Sequence, residues 1–296
     1  MSFVNLMFAL IGILVVTGAV VGGFLMAHGQ LLVLWQPSEL VIIFGAALGT
    51  LLIANPLHVV MDVFKGVLGA FKGSPYTKKF YIDSLKMLND IFSYARKNGM
   101  SKLETDVDDP KSSPLLSQYP FLLKNHHALA FVCDTLRTSI AGGIGHFELD
   151  QTMEAEIEQL HHENTQPISA LMTVADAMPG LGIVAAVLGV VITMGSLGGP
   201  VEEIGAHVAA ALVGTFLGIL MSYGFLGPLA ASMTKLNDAE SDFFRFLRAG
   251  LMAFIKGAAP MLAVETARRA IPGHLRPTFQ QMEEVCRGGG VKDAAA

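Results

Sequence analysis

Two histidine pairs are the first residues in this 296-residue chain with obvious chemical potential: His126-His127, and His161-His162 followed by Glu163. Imidazole and carboxylate are metal ligands and proton carriers. Neighbours on a helix point in different directions, so neither pair closes a chelate alone. A polar helix surface is the simpler reading, and no metal or cofactor is expected. Cys133 and Cys286 have no CxxC or zinc-type spacing, and are expected as reduced, inert thiols on the cytosolic side. A P-loop, GxSxG, HExxH and a Rossmann fingerprint are all missing, so the reading is not an enzyme.

The more informative ionisable groups are those in or beside apolar runs, where charge is costly and usually functional. Glu39 opens one run, Glu202-Glu203 and His207 open another, and Asp176 stands three residues before Pro179. In sequence all of them are peripheral, and no carboxylate occupies the middle of a run. A proton crossing a membrane releases about 2.3 kcal/mol per 100 mV, but a carrier needs an acceptor along the way. If this chain serves an ion pathway, another chain must bring the acid. Two prolines, Pro179 and Pro228, interrupt apolar helices, and each deletes a backbone hydrogen bond. They predict kinks, read equally well as static bends or hinges. Thr193, Thr215 and Ser222 are intramembrane hydroxyls whose usual fate is bonding back to the helix.

The elements that position these groups follow from charge. All 20 Lys and Arg residues lie in two blocks, Lys65 to Arg137 and Lys235 to Lys292. The chain is 52% hydrophobic and 15% charged, with mean hydropathy +0.52, where soluble domains carry about 25% charged residues. The net charge of −5 comes with no basic face, which argues against nucleic acid. The N-terminus lacks the basic region of a cleaved signal peptide. Four runs reach the roughly 20 apolar residues that a membrane span needs: Phe3 to Ala27, about Pro37 to Val60, about Leu171 to Leu197, and about Ile204 to Ala230. Trp35, the only tryptophan, suits an interfacial anchor in the first joint; Gly198 to Glu203 forms the second. Neither joint holds Lys or Arg, so the positive-inside rule places both basic blocks and both termini in the cytoplasm. Gly18/Gly22, Gly45/Gly49 and Gly214/Gly218 form GxxxG pairs, and Gly182/Ala186 has the same spacing. These predict close helix packing within or between subunits.

The expected architecture is an all-α polytopic membrane protein with four transmembrane helices and a helical cytoplasmic domain. Residues 1–60 hold spans one and two, 61–170 the cytoplasmic domain, 171–231 spans three and four, and 232–296 a cytoplasmic helix and tail. In the cytoplasmic part, periodicity predicts a helix over Lys79 to Lys97 with Leu85, Leu88, Phe92 and Ala95 on one face, stopped at Asn98-Gly99. A polar turn is expected over Thr105 to Pro110, then a helix from about Asn125 to Ile140. Another begins near Asp150, with Met153, Ile157 and Leu160 on one face, and continues past Pro167 into span three.

The run from Ala175-Asp176-Ala177-Met178-Pro179 to Leu188-Gly189, with Val213 to Leu220 and Tyr223-Gly224-Phe225-Leu226-Gly227-Pro228-Leu229, resembles the MotA family of flagellar motor stator subunits. The cytoplasmic run Ala95 to Glu104 matches as well, and the resemblance covers nearly the whole chain. It implies a homo-oligomeric ring, understood as five subunits around two copies of MotB, in the bacterial inner membrane. MotB would supply the ion-binding aspartate, and the ring would push the rotor protein FliG. Carried over residue by residue, it implies rotor contact through Arg96 and Glu104, and coupling through Pro179 and Pro228. It also implies an ion pathway lined by Ala186, Thr215, Thr193 and Asp176. Sodium-driven relatives carry a threonine seven residues after the span-three proline. Here that position is Ala186, which offers no oxygen ligand and favours a proton. Other readings are a proton-driven energiser of the ExbB/TolQ type, a sodium-driven stator and a non-conducting scaffold. Four spans and the Arg96 to Glu104 region favour the flagellar one.

Overall fold

A computed structural model of the chain describes residues 2–195, 198 and 200–288. Side chains are described from Met7 onward, except those of Glu202 and Glu203. Leu197, Gly199 and Lys292 therefore lie outside the described residues, as do the acidic side chains of the second joint. In chain order the helices are α1 (Ser2–Met26), α2 (Pro37–Ala54), α3 (Leu57–Lys72), α4 (Lys78–Asn98), α5 (Met100–Asp108) and α6 (Pro120–Lys124). They continue with α7 (His126–Ala141), α8 (His146–Gly195), α9 (Val201–Ile219), α10 (Gly227–Ile255), α11 (Pro260–Ala270) and α12 (Phe279–Cys286). No strand occurs among the described residues, and four helical stretches are long and apolar enough to cross a membrane.

The chain divides into two compact units, Met1–Ser74 with Glu163–Asn237, and Pro75–His162 with Asp238–Ala296. One division falls between α3 and α4, the other two within α8 and α10. The first unit holds the apolar helices. Its core combines Ile43, Ala47 and Leu51 of α2, spaced four apart on one stripe, with Val59, Val60 and Val63 of α3. Leu171, Val174, Met178 and Ala185 of α8 and Ala230 and Met233 of α10 complete it. Helix α3 follows Pro56, carries its apolar residues on one side, and ends at Gly73 in a positive-φ conformation. It packs with the span residues, although the sequence reading counts 61–72 among the cytoplasmic residues.

The second unit is held by aromatic rings. Phe243 lies 5.3 Å from Tyr76, 5.0 Å from Phe80 and 5.8 Å from Phe246 between ring centroids, and Phe92 stacks on Phe254 at 4.4 Å. Helix α4 forms where expected, capped by the Thr77 hydroxyl, which accepts from the Phe80 amide at 3.2 Å; Leu85, Leu88, Phe92 and Ala95 are all buried. Asn125 caps α7 in the same way through the Ala128 amide. The turn expected over Thr105 to Pro110 is instead helical as far as Asp108. There Asp106 is buried and accepts a hydrogen bond from the Ser113 hydroxyl at 2.6 Å. That partner, seven residues away, lets an acidic residue face inward where local composition suggests a turn.

Candidate functional site

Helices α8 and α9 run antiparallel and touch through backbone. A Cβ placed on Gly182 would lie 2.8 Å from the Gly214 carbonyl oxygen and 3.3 Å from the Gly218 Cα; one on Gly218 would lie 2.5 Å from the Met178 carbonyl oxygen. One on Gly189 would meet the Ala211 Cβ at 2.8 Å. The small residues at these positions are therefore the contact itself. Among the described residues, nothing beyond the glycine's own neighbours and helix backbone lies within 4 Å of the corresponding positions on Gly18, Gly22, Gly45 and Gly49. The GxxxG reading thus divides: the pair on α9 packs inside the chain, and the pairs on α1 and α2 face outward.

Pro179 lies inside α8, which stays helical through it and through Pro167. Its neighbour Met178 supplies the carbonyl against Gly218, so the proline sits at the closest approach of the two helices. At Pro228 the outcome is different. The turn before it, Leu220–Leu226, is a π-helix, and the Gly227 amide donates to the Ser222 carbonyl five residues back. A proline ring clashes with the carbonyl four residues before it. A widened turn moves that carbonyl aside, and single π turns of this kind recur at functional sites. The sequence reading missed the π turn. Its available signal was Pro228 after the small residues Gly224 and Gly227.

Ala186, Thr215, Thr193 and Asp176, which the family resemblance assigns to an ion pathway, all belong to the first unit. Ala186 is half-buried on α8, and Thr215 is half-buried on α9, its Cα 3.2 Å from the Cβ position of Gly182 one turn away from Ala186. Thr193 is buried, and its hydroxyl donates to the Gly189 carbonyl at 2.8 Å, the back-bonding expected of it. Asp176 is exposed. Glu39, in the first turn of α2, is buried with Oε2 against Gly214 and without a hydrogen-bond partner.

In the second unit, Arg96 occupies the last turn of α4 and Glu104 the middle of α5. The helices join at Gly99, whose φ of 87° a larger residue would adopt only with strain. Both charges are exposed, and neither has an ion pair among the described residues. They stand on either side of the α4–α5 corner. The histidine pairs stay apart: His161 hydrogen-bonds through Nδ1 with the Ser241 hydroxyl at 2.9 Å, and His127 lies close enough to Glu156 to attract its charge. No cluster of three potential metal ligands occurs among the described residues. Burial pushes the Cys133 and Cys286 thiols up to about 11, leaving little thiolate at neutral pH.

This arrangement can be set beside known proteins. Residues 10–99 match the family model "Motility protein A N-terminal", and residues 124–245 match the "MotA/TolQ/ExbB proton channel family". The Motility protein A of Escherichia coli (strain K12) is 40% identical over 281 residues, 95% of each chain. The chain belongs to the motility protein A family. The Chemotaxis protein LafT of Vibrio parahaemolyticus is 37% identical over 274 residues, 93% of this chain and 96% of that protein. Among solved structures, C. jejuni MotAB superposes with a TM-score of 0.73 at 18% identity, covering 89% of this chain and 95% of that one. The flagellar MotAB stator complex from Bacillus subtilis gives 0.71 at 20% identity, covering 93% and 97%. At such identities the likeness concerns the fold, the all-helical arrangement with four span-length stretches described above. The motility protein A match runs through α4, where Arg96 stands, and the proton channel match runs through Pro179 and Pro228.

Proposed function

We propose that this chain is the ring-forming subunit of a flagellar motor stator, which couples proton flow across the bacterial inner membrane to torque on the rotor. The observation that carries the reading is the pairing, within one unit, of two prolines with a glycine-packed helix contact: Pro179 at the closest approach of α8 and α9, and Pro228 after a π turn. A bundle built this way has two backbone positions freed from the ordinary α-helical ladder beside a contact that admits no side chain. Small changes at one helix therefore reach the other.

The ion path needs a partner. A MotB-like subunit would bring the aspartate that the family resemblance implies, beside the hydroxyls that span four offers. Five copies of this chain around two of that partner is the proposed stoichiometry. The outward apolar face of α8, with Val184, Val187 and Val191 each at least half exposed, is available to such partners. Ala186 offers no oxygen ligand, which favours the proton over sodium. Arg96 and Glu104 would contact FliG through weak, renewable charge pairs, worth ~0–1 kcal/mol each when exposed. Both termini would be cytoplasmic, and no catalytic step is assigned.

The test is motility. A strain lacking its stator, given this chain and a MotB-like partner, is expected to swim equally well with and without sodium. Pro179→Ala should assemble yet not swim, and Arg96→Glu should swim poorly, with partial recovery when the facing rotor charge is reversed. Failure to swim with every MotB-like partner, with the chain inserted and assembled, would overturn the reading.

A further inference from the structure

We propose that Glu39 is a proton-binding site internal to this chain, its carboxyl held protonated inside the helix bundle against Gly214 of α9. The proposal stands apart from the acid that a partner would supply. Glu39 is 4% exposed, so the chain itself encloses it and no partner is needed to bury it. Its Oε2 has no hydrogen-bond donor. The space that Oε2 fills is the space a side chain on residue 214 would take: a Cβ there would fall 2.4 Å from Oε2 and 3.2 Å from the Ala185 Cβ. Oε2 thus lies against the Gly214 backbone, with the Ala185 methyl beside the same space, and such apolar surroundings disfavour an ionised carboxylate. Position in the first turn of α2 works the other way, since a helix N-terminus favours an anion. The proton is thereby bound but releasable.

Sequence position hides this site. Glu39 opens span two and reads as peripheral. Helix α2 begins low against α9, however, and Gly214 stands 13 residues beyond Val201, about 20 Å along the helix. The carboxyl lies level with the middle of the 204–230 and 171–197 runs. The ionisable groups on the elements around it are few. On α9, His207 lies seven residues before Gly214, towards the outer end, and Glu202 and Glu203 precede it in sequence. On α8, Asp176 is exposed, nine residues from Ala185 on the cytoplasmic side. The π turn carries Tyr223, and α10 carries Lys235 in the first unit. On α3, His58, Asp62, Lys65 and Lys72 follow the opposite end of α2. The apolar spans contain neither Lys nor Arg to pair with the carboxylate.

Dicyclohexylcarbodiimide tests the proposal on the wild-type chain in membranes with its partner. This apolar reagent adds to protonated carboxyls: the carboxyl oxygen bonds the central carbon, the proton passes to a nitrogen, and acyl transfer to nitrogen leaves a stable N-acylurea with no leaving group. Mass spectrometry should find the adduct on the peptide carrying Glu39 at neutral pH, declining as pH rises; a peptide free of adduct there overturns the proposal. Infrared spectroscopy of the same complex gives a second reading. The carbonyl stretch of a protonated carboxyl should disappear in Glu39→Gln and persist in Asp176→Asn. A spectrum unchanged by Glu39→Gln overturns the proposal as well. Neither measurement depends on swimming, so its failure and that of the stator reading are separately visible.

Discussion

Glu265 shows what a charge looks like when the fold uses it. Its carboxylate accepts from Arg268 Nε at 2.6 Å, from Arg268 Nη2 at 2.9 Å and from Arg269 Nε at 2.8 Å, and its side chain is 13% exposed. Arg268 also donates to the Pro277 carbonyl at 2.9 Å, tying α11 to the residue before the Thr278 cap of α12. Hydrogen bonding from Arg268, assisted by Arg269, lowers the Glu265 carboxyl from 4.5 to about 2. A lowered folded pKa means the contribution is fully present above 4.5 and lost as pH falls towards 2. Glu265→Gln should therefore cost about 2–3 kcal/mol at neutral pH, and the variant's stability should fall less steeply between those two pH values than the wild type's. Thermal unfolding of the second unit as a function of pH measures both. Arg96 and Glu104 are the opposite case. They are exposed and have no ion pair among the described residues. That contrast supports assigning them to a partner.

At the scale of elements, the contact between α8 and α9 is the least forgiving place in the first unit. What meets a side chain on Gly218 is the Met178 carbonyl oxygen, and a backbone atom cannot rotate away as a side chain can. Gly218→Ala should push the helices apart at a cost of about 1–3 kcal/mol, lowering the thermal stability of the purified complex and impairing assembly. Gly45→Ala, with no neighbouring element within 4 Å among the described residues, should leave the isolated subunit unchanged. Any effect of that variant in the assembled complex then measures a neighbouring subunit.

For the molecule as a whole, the span count and the all-helical class are legible because lipid imposes them: apolar length and missing Lys and Arg are properties of composition. Helix α4 is legible from periodicity and from its stop at Asn98-Gly99, and α7 forms close to the bounds expected for it, while the Thr77 and Asn125 caps emerge only in the structure. What local sequence could not show depended on distant partners. Asp106 folds into α5 because Ser113 satisfies it, and Glu39 reads as peripheral until the offset of α2 against α9 is known. Pro179 and Pro228 were visible as interruptions, and their assignment to coupling came from the family resemblance, not from spacing. The π turn left only an indirect signal, Pro228 after Gly224 and Gly227, because nothing in a linear pattern counts residues per turn.

That turn also bears on residue count. A π turn is what remains when a helix absorbs one residue more than its neighbours' spacing requires. The surplus residue is taken up before Gly227, so α10 starts in the phase that sends Ala230 and Met233 into the core of the first unit. Deleting one residue between 220 and 226 together with Pro228→Ala should close the helix and preserve that phase, leaving the complex folded. A deletion made instead between Gly227 and Ala230 would turn Ala230 and Met233 by about 100°, out of the core they fill. The span carries its own spare residue, and the proline marks where it is kept.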